Sequence, residues 1–523
     1  MEPTPTTDPI LTDNHILTRN IAATIVSKIF YLGSRLFVPP FVLMYVSLEQ
    51  YGIWAYCFIL ISYLGMSVFG VTNVYVRYAA VFAAQHEYVK INRLVSTGLL
   101  TVSLICLAIL PILWGVLPYV FTLLSIPDYL QPLAFNLMFG TILIFMADMT
   151  LGVFGYILQS LRKIVLERGI WTISFTVETF LIVAFLVMGF GIYGLLWAFV
   201  IRIMIATILY AIACYRELPS LSIRFKYFDW SMFKLFFQFG GIVQISGLLG
   251  VLNRSLEKLF AGSFIGVAAA GLYEVAEKFP ILAILLPGGV NAVFLPTTAH
   301  HHAKEEHDQI REIYLKGSRF INIVTGIIMG FLAPFAPLII QAWLGKSAQY
   351  ESAPIILASF TIAYQMDVLT GPASAIYRSI QQPIKELIYA VLQLVLVIIG
   401  TLICFYWFGY TILAINLGVV SMKVLSALYY FWYSNRFLKV CNYSAIGQVL
   451  VPGLIPYVIG GILALAMSFW LPWQDFSRLS SVLLVFAAGL IYMIVCLAVI
   501  YWGVISKQER SIGKEHLKKM LNK

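Results

Sequence analysis

Residues 34–56 read SRLFVPPFVLMYVSLEQYGIWAY, and 219 positions further on residues 253–275 read NRSLEKLFAGSFIGVAAAGLYEV. In this register Arg35 recurs as Arg254 and Gly52 as Gly271. Continued without a gap, it sets Glu87 on Glu306, Pro118 on Pro337, Asp148 on Asp367, Gly152 on Gly371, Ser160 on Ser379 and Glu167 on Glu386. One helical unit is written twice. Such a same-direction repeat in a membrane protein is a signature of transporters, whose two halves work around a shared central site.

The membrane itself follows from composition. Hydrophobic residues make up 61% of the 523-residue chain and charged ones 11%, with a mean hydropathy of +0.89. Soluble domains run at about 45–50% apolar and about 25% charged. The apolar runs have the length a helix needs to cross hydrocarbon, and they are continuous rather than alternating, which excludes a barrel. The expected fold is all-α: a polytopic membrane protein of about fourteen transmembrane helices, the first over 21–46 and the last over 480–505. Six spans per copy is an even number, so the copies are parallel repeats. The expected organisation is a cytoplasmic segment 1–20, an N-lobe 21–214, a linker 215–237, a C-lobe 238–437, two extra helices in 438–505 and a basic cytoplasmic tail 506–523. Three spans within the repeats, 133–159, 268–299 and 318–342, read as single helices.

Charge gives the orientation. The polar start MEPTPTTDPI, and a first apolar stretch carrying Lys28 and Arg35, do not fit a cleavable signal. Lys and Arg cluster in every second loop, and with Arg19 and the tail those loops hold 25 of the 34, against Lys346 and Arg478 in the opposite loops. The positive-inside rule then places both termini in the cytoplasm. The net charge of +10 is thereby an orienting charge, and no nucleic-acid partner is implied. FDWSMFKLFF, residues 228–237, reads as an interfacial helix joining the lobes. The tail SKQERSIGKEHLKKMLNK reads equally as a short helix on the anionic leaflet or as an extended basic segment. Six cysteines without CxxC spacing indicate neither a disulfide nor a metal framework.

No exposed loop is long enough to hide a soluble domain, and there is no GxxxxGK[ST], HExxH or GxSxG. Energy must come from a partner, an ion gradient or the substrate's own gradient. The chemistry then falls to charges inside the spans. Seven cations, Lys28, Arg35, Arg202, Arg254, Lys258, Lys278 and Lys423, are expected to face a polar lumen, because each would cost about 2.5–3.5 kcal/mol at a helix centre. Lys28 and Arg35 share a helix face, as do Arg254 and Lys258 with Glu257 between them. Opposed guanidinium groups suit phosphate oxygens, which they bind bidentately. The competing reading neutralises the cations internally, with Glu274 on Lys278 and Asp148 or Asp367 on Arg202 or Lys423. Asp148, Asp367, Glu178 and Glu274 are the candidates for coupling to H+ or Na+, and no other cofactor is expected. His300, His301 and His302 lack the spaced partners of a metal site. Pro39, Pro40, Pro111, Pro118, Pro280, Pro287, Pro334 and Pro337 are expected to interrupt helices.

The opening stretches, with GVTNVYVRYAA at 70–80 and AEKFP extending the second to residue 280, resemble the polysaccharide transporter (O-antigen flippase, Wzx-like) branch of the multidrug/oligosaccharidyl-lipid/polysaccharide exporter superfamily. The likeness runs over about the first 440 residues. Glu257 stands where that family usually carries Asp. The resemblance implies a two-lobed alternating-access flippase of the bacterial inner membrane, moving an undecaprenyl-diphosphate-linked oligosaccharide, an O-antigen or exopolysaccharide repeat unit, outward. Arg35 and Arg254 would contact the headgroup. Its partners would be that lipid-linked oligosaccharide, bilayer lipids and other polysaccharide-assembly membrane proteins. Two alternatives stay in the same superfamily, a multidrug or cation antiporter and a peptidoglycan-precursor flippase. Another class, a membrane enzyme such as a polymerase or ligase, would need long outer loops with catalytic groups, and here those loops carry only Glu49, Asp128, Glu351 and Asp475.

Overall fold

The computed structural model describes residues 9–238, 241–471, 476–504 and residue 510, and every regular element among them is helical. Of the expected N-terminal segment, residues 1–8 lie outside the described residues, as does the basic tail apart from Arg510. The chain divides into two compact units, residues 1–271 and 272–523.

The first unit contains α1 (Pro9–Val42), α2 (Leu48–Ala84), α3 (Tyr88–Leu123), α4 (Gln131–Leu151), α5 (Val153–Ser160), α6 (Ile164–Val187), α7 (Tyr193–Glu217), α8 (Trp230–Gln238) and α9 (Gly241–Phe264). After α10 (Val267–Ala276), which crosses the division, the second holds α11 (Lys278–Ala283), α12 (Leu285–Ala303), α13 (His307–Leu332), α14 (Ala336–Leu344), α15 (Ala353–Ser379), α16 (Ile384–Phe408), α17 (Ile412–Phe437), α18 (Asn442–Ala445), α19 (Val451–Trp470) and α20 (Arg478–Val499). Ten helical stretches among the described residues are long and apolar enough to cross a bilayer. The other four expected spans fall on α1, α2, α9 and the run α10–α12.

Several helix ends obey the repeat to the residue. Leu48 opens α2 and Val267 opens α10; Ala84 closes α2 and Ala303 closes α12; Tyr88 and His307 open the next helices; Ser160 and Ser379 close α5 and α15. The chain leaves α2 through His86 at φ +58 and α12 through Glu305 at φ +59, then leaves α5 through Arg162 at φ +61 and α15 through Gln381 at φ +58. In each case the following amide reaches back five residues, as in Glu87 N to Phe82 O at 2.8 Å and Glu306 N to His301 O at 3.0 Å. These are Schellman closures, built four times on residues other than glycine.

Within this duplicated frame the copies differ. The span expected over 268–299 is three helices, broken at Glu277 and Ile284, whereas its counterpart α2 is continuous. Pro280 and Pro287 each stand third in the helix after a break, where the missing N–H costs nothing. Likewise Pro334 falls in the gap between α13 and α14, dividing the span expected over 318–342. Pro111 and Pro118, expected to interrupt, lie inside an unbroken α3. In the span expected over 133–159 the break comes at Gly152, a residue that sequence reading left inside one helix.

The linker contains α8, whose Met232 and Phe236 are buried beneath α3 while Trp230 stays exposed and stacks on Phe233 at 4.6 Å. The α9 helix, drawn from sequence into the C-lobe, packs on α2 in the first unit: Ser255 Oγ lies 2.6 Å from the Tyr63 hydroxyl, and the Tyr56 hydroxyl donates to Lys258 O. Small residues bring α10 close to α2 as well. A Cβ on Gly52 would collide with Val267 O, and one on Gly271 with Leu48 O; each would also lie 3.1 Å from the other glycine's amide nitrogen. Residues 48 and 52 are the repeat partners of 267 and 271, so the contact is reciprocal.

The last two spans pack on α13. Asn322 donates to Val449 O at 2.7 Å, Gln365 donates to Asn322 Oδ1 at 2.8 Å and to Gly453 O at 3.0 Å, and the Tyr492 hydroxyl donates to Ile327 O at 2.8 Å. Glycines 326, 330, 453 and 460 bring the backbones close enough for these bonds, the usual device where lipid supplies no hydrophobic drive between helices.

Candidate functional site

In the first unit the polar centre is assembled by α1, α4, α6 and α7. Trp171, Phe175 and Glu178 recur at helical spacing and share one face of α6. Trp171 stacks on Phe175 with centroids 5.1 Å apart, and Tyr31 of α1 closes on Phe175 at 5.4 Å. Arg35, one turn beyond Tyr31, places its guanidinium 5.1 Å from the Tyr31 ring, 5.7 Å from Phe58 and 5.8 Å from Phe175. Three ring faces thus hold one planar cation. The register of α1 on α6 is pinned by Ser27 Oγ and Thr172 Oγ1, 2.7 Å apart.

Behind this cage, Arg202 Nε of α7 lies 3.1 Å from Glu178 Oε2, and its guanidinium sits 4.8 Å from the Phe199 ring. Glu178 also acts electrostatically on Arg35, and Arg202 on Asp148. Two cations and two carboxylates therefore occupy one interior, and their charges balance. The geometry is imperfect: Arg35 Nε is buried with no acceptor among the described residues, and Arg202 Nε, though close to Glu178, is not aligned as a hydrogen bond. A half-buried guanidinium with an unused donor is equipped to take an anionic oxygen.

The second unit solves the same problem differently. Glu277 is fully buried and accepts the Tyr364 hydroxyl at 3.2 Å. Lys423, 2% exposed, holds its ammonium 5.4 Å from Phe360 and 5.7 Å from Tyr364. A buried acid and a buried base thus converge on Tyr364, where burial demands mutual compensation. Asp367 Oδ1 accepts Gln393 Nε2 at 3.1 Å, and the same amide reaches the Tyr389 hydroxyl at 3.1 Å. Lys278 is paired with Glu274 one turn away on adjoining helices.

Of the seven intramembrane cations, Arg35 and Arg202 thus share one site with Glu178 and Asp148, and Lys278 is paired with Glu274. Lys423 lies in a separate centre. Lys258 is buried beside the fully buried Glu257 on α9, while Lys28 and Arg254 are exposed. Arg35 and Arg254, equivalent in the repeat, occupy unlike surroundings. Sequence reading passed over the aromatic cage and the role of Glu277. The cage unites residues of α1, α2 and α6 that are distant in the chain; Glu277 did carry a signal, since the neighbouring Lys278 is already matched by Glu274 at helical spacing. Among the described residues no group of three or more His, Cys, Asp and Glu could hold a metal ion.

Known proteins share this architecture. An inward-facing multidrug resistance MATE family transporter of the MOP superfamily superposes with a TM-score of 0.66 at 14% identity, over 81% of this chain and 98% of that one. The lipid II flippase MurJ, in an inward closed conformation, does so with a TM-score of 0.61 at 16% identity, over 92% of this chain and 99% of that one. At these identities the likeness is one of fold. In sequence, EpsK, a membrane protein of Bacillus subtilis (strain 168), is 21% identical over 332 residues, 63% of this chain. This chain spans 66% of the length of EpsK, just under two thirds. Residues 45–353 match the polysaccharide biosynthesis protein family. That match takes in more than half of the chain, from the end of α1 to the start of α15, and with the helical architecture it makes the protein a multi-pass membrane member of the polysaccharide biosynthesis protein family.

Proposed function

We propose that the protein is a flippase that carries an undecaprenyl-diphosphate-linked oligosaccharide across the bacterial inner membrane by alternating access, with both termini cytoplasmic. The observation that carries this reading is Arg35: a guanidinium held inside the helices by three aromatic rings, with a buried Nε that no described residue accepts. Arg35 takes a diphosphate oxygen on this reading, and exposed Arg254 adds a second contact. Aromatic rings lining the same interior suit the apolar faces of sugars. The family supports a polysaccharide precursor as cargo, and the lipid II flippase MurJ has a similar fold. Asp148 and Glu178 adjoin Arg35 and Arg202 and are the groups through which H+ or Na+ couples to headgroup binding; Asp367 is the candidate in the second unit. The sugar repeat, whether of O-antigen, exopolysaccharide or peptidoglycan type, is selected elsewhere in the site.

The test is translocation of lipid-linked oligosaccharide in proteoliposomes by wild type, Arg35→Ala and Arg254→Ala. Loss of transport in Arg35→Ala with retained folding is the expected result. Normal transport by both variants would remove the headgroup assignment while leaving the transporter class standing.

A further inference from the structure

A second cationic site lies away from these centres, within the second unit. His302, His307, Arg311, Gln382 and Lys439 line a cavity of about 300 Å³ together with the buried Ile310 and Ile376. It sits where α12 turns into α13 and where α17 ends, on the side rich in Lys and Arg that the charge bias reads as cytoplasmic. No carboxylate lines it. Its volume is at the small end of the roughly 300–1,000 Å³ of ligand pockets, enough for a phosphate group and not for a sugar chain.

The internal repeat supplies a control built into the chain. At the matching positions of the first copy stand Ala83, Tyr88, Asn92 and Ser220 in place of His302, His307, Arg311 and Lys439, and Lys163, paired with Glu217 at 2.7 Å, in place of Gln382. In the first copy Asn92 Nδ2 donates to Ser220 O at 2.9 Å, tying the start of its helix to the segment after α7. In the second, Arg311 Nε donates to Leu438 O at 2.8 Å and makes the corresponding tie. A neutral amide therefore suffices for the structural task, and the guanidinium is additional. Its Nη1 binds Asp308 at 2.7 Å, a residue whose side chain is 91% exposed, and Nη2 has no acceptor among the described residues. Of the acids flanking it in the chain, Glu306 is taken up by His301 at 2.6 Å and Glu312 is paired with Lys316. The His302 and His307 rings stand 6.4 Å apart, close enough to grip one small anion together. Lys439 closes the rim from a left-handed turn residue, φ +57.

We propose that this cavity binds a phosphate group, through Arg311, Lys439 and the two imidazoles. The ligand is either the headgroup of an anionic phospholipid or a soluble phosphate compound, and the site is independent of the headgroup contact assigned to Arg35. Purified full-length protein in nonionic detergent is titrated calorimetrically with inorganic pyrophosphate at fixed ionic strength, as wild type and as His302→Gln/His307→Gln/Lys439→Gln. Arg311 is left in place because it anchors Leu438. In a parallel arm both proteins are melted with phosphatidylglycerol or phosphatidylcholine added. Saturable pyrophosphate binding that weakens at least tenfold in the triple variant supports a soluble ligand. Silence toward pyrophosphate, with stabilisation by phosphatidylglycerol alone that the triple variant loses, supports a lipid headgroup. Should the triple variant melt early without ligand, Lys439→Gln alone, at an exposed turn, carries the comparison with an expected loss of about threefold. Neither ligand acting on wild type, or both acting equally on wild type and variant, overturns the proposal.

Discussion

A methyl group added at Gly52 tests the reciprocal glycine contact. The Cβ of Gly52→Ala would collide with the carbonyl oxygen of Val267 and lie 3.1 Å from Gly271 N. Both are backbone atoms, so nothing can rotate away and α10 must shift from α2. Overpacking of this kind costs about 1–3 kcal/mol. Alanine returns up to about 1 kcal/mol through its helix propensity, leaving a net loss of up to about 2 kcal/mol. Gly271→Ala meets Leu48 O in the same way and is expected to cost the same. Gly169, inside α6, has no atom within 4 Å of a built Cβ, so Gly169→Ala is expected to stabilise slightly. The assay is the melting of detergent-purified full-length protein followed by its monodisperse fraction, compared at one heating rate because unfolding of such a chain is governed by rate. In the double variant the second methyl enters a gap already opened by the first, so the losses should fall short of additive. Equal melting of Gly52→Ala and Gly169→Ala, or strict additivity of the pair, would refute the argument.

Two other perturbations separate local electrostatics from function. Glu178→Gln removes the carboxylate beside Arg202 and Arg35 and should destabilise by about 3–5 kcal/mol, the cost of stranding a buried charge, while Glu178→Gln with Arg202→Met should recover much of it; a single variant that melts like wild type sinks the pairing. Outside the membrane, hydrogen bonds from the Ser231 hydroxyl first, then from the Ser231 and Met232 amides and last the Arg93 guanidinium, hold the Asp229 carboxyl below the usual carboxylate range. A lowered pKa contributes stability above the unfolded value of about 3.9 that fades as pH falls through the folded value. The melting gap between wild type and Asp229→Asn should therefore be full at neutral pH and close below about pH 4, and a gap independent of pH would contradict it.

The repeat was legible because Arg35, Gly52, Asp148 and Glu167 return in one ungapped register, and helix ends depend on local residues that the register carries along. Membrane class was legible for a similar reason, since long apolar runs admit no other solution. Helix breaks were not. Pro118 and Pro337 match in sequence, yet the chain breaks only in the second copy, and there at Pro334, because the cost of a lost amide bond is decided by which neighbours resatisfy the carbonyl. Charge partners were legible only at short range: Glu274 on Lys278 follows from helical spacing, whereas the cage around Arg35 depends on how α1 meets α6, and no period in the sequence encodes that contact.

The copies kept a common backbone but not common charges. At the places of Glu178 and Arg202 the second copy has Val397 and Ser421, and at the places of Glu277 and Lys423 the first has Phe58 and Met204. Phe58 is one of the rings around Arg35, so what is a buried carboxylate in one copy is a wall of the cation cage in the other. A polar pair needed merely to hold such a bundle together would be expected in both copies. Its absence from each in turn implies divided tasks. In the second copy, Glu277 and Lys423 are buried to 0% and 2% exposure around Tyr364, out of reach of a large headgroup. In the first, Arg35 is half-buried and has a donor to spare. Lys423→Met alone should then destabilise by stranding Glu277, and Lys423→Met with Glu277→Gln should restore folding and leave transport intact. Arg35→Ala should fold and fail to transport. If instead the folded Lys423/Glu277 double variant loses transport while Arg35→Ala keeps it, the headgroup contact belongs to the second copy and the assignment made from the cage is reversed.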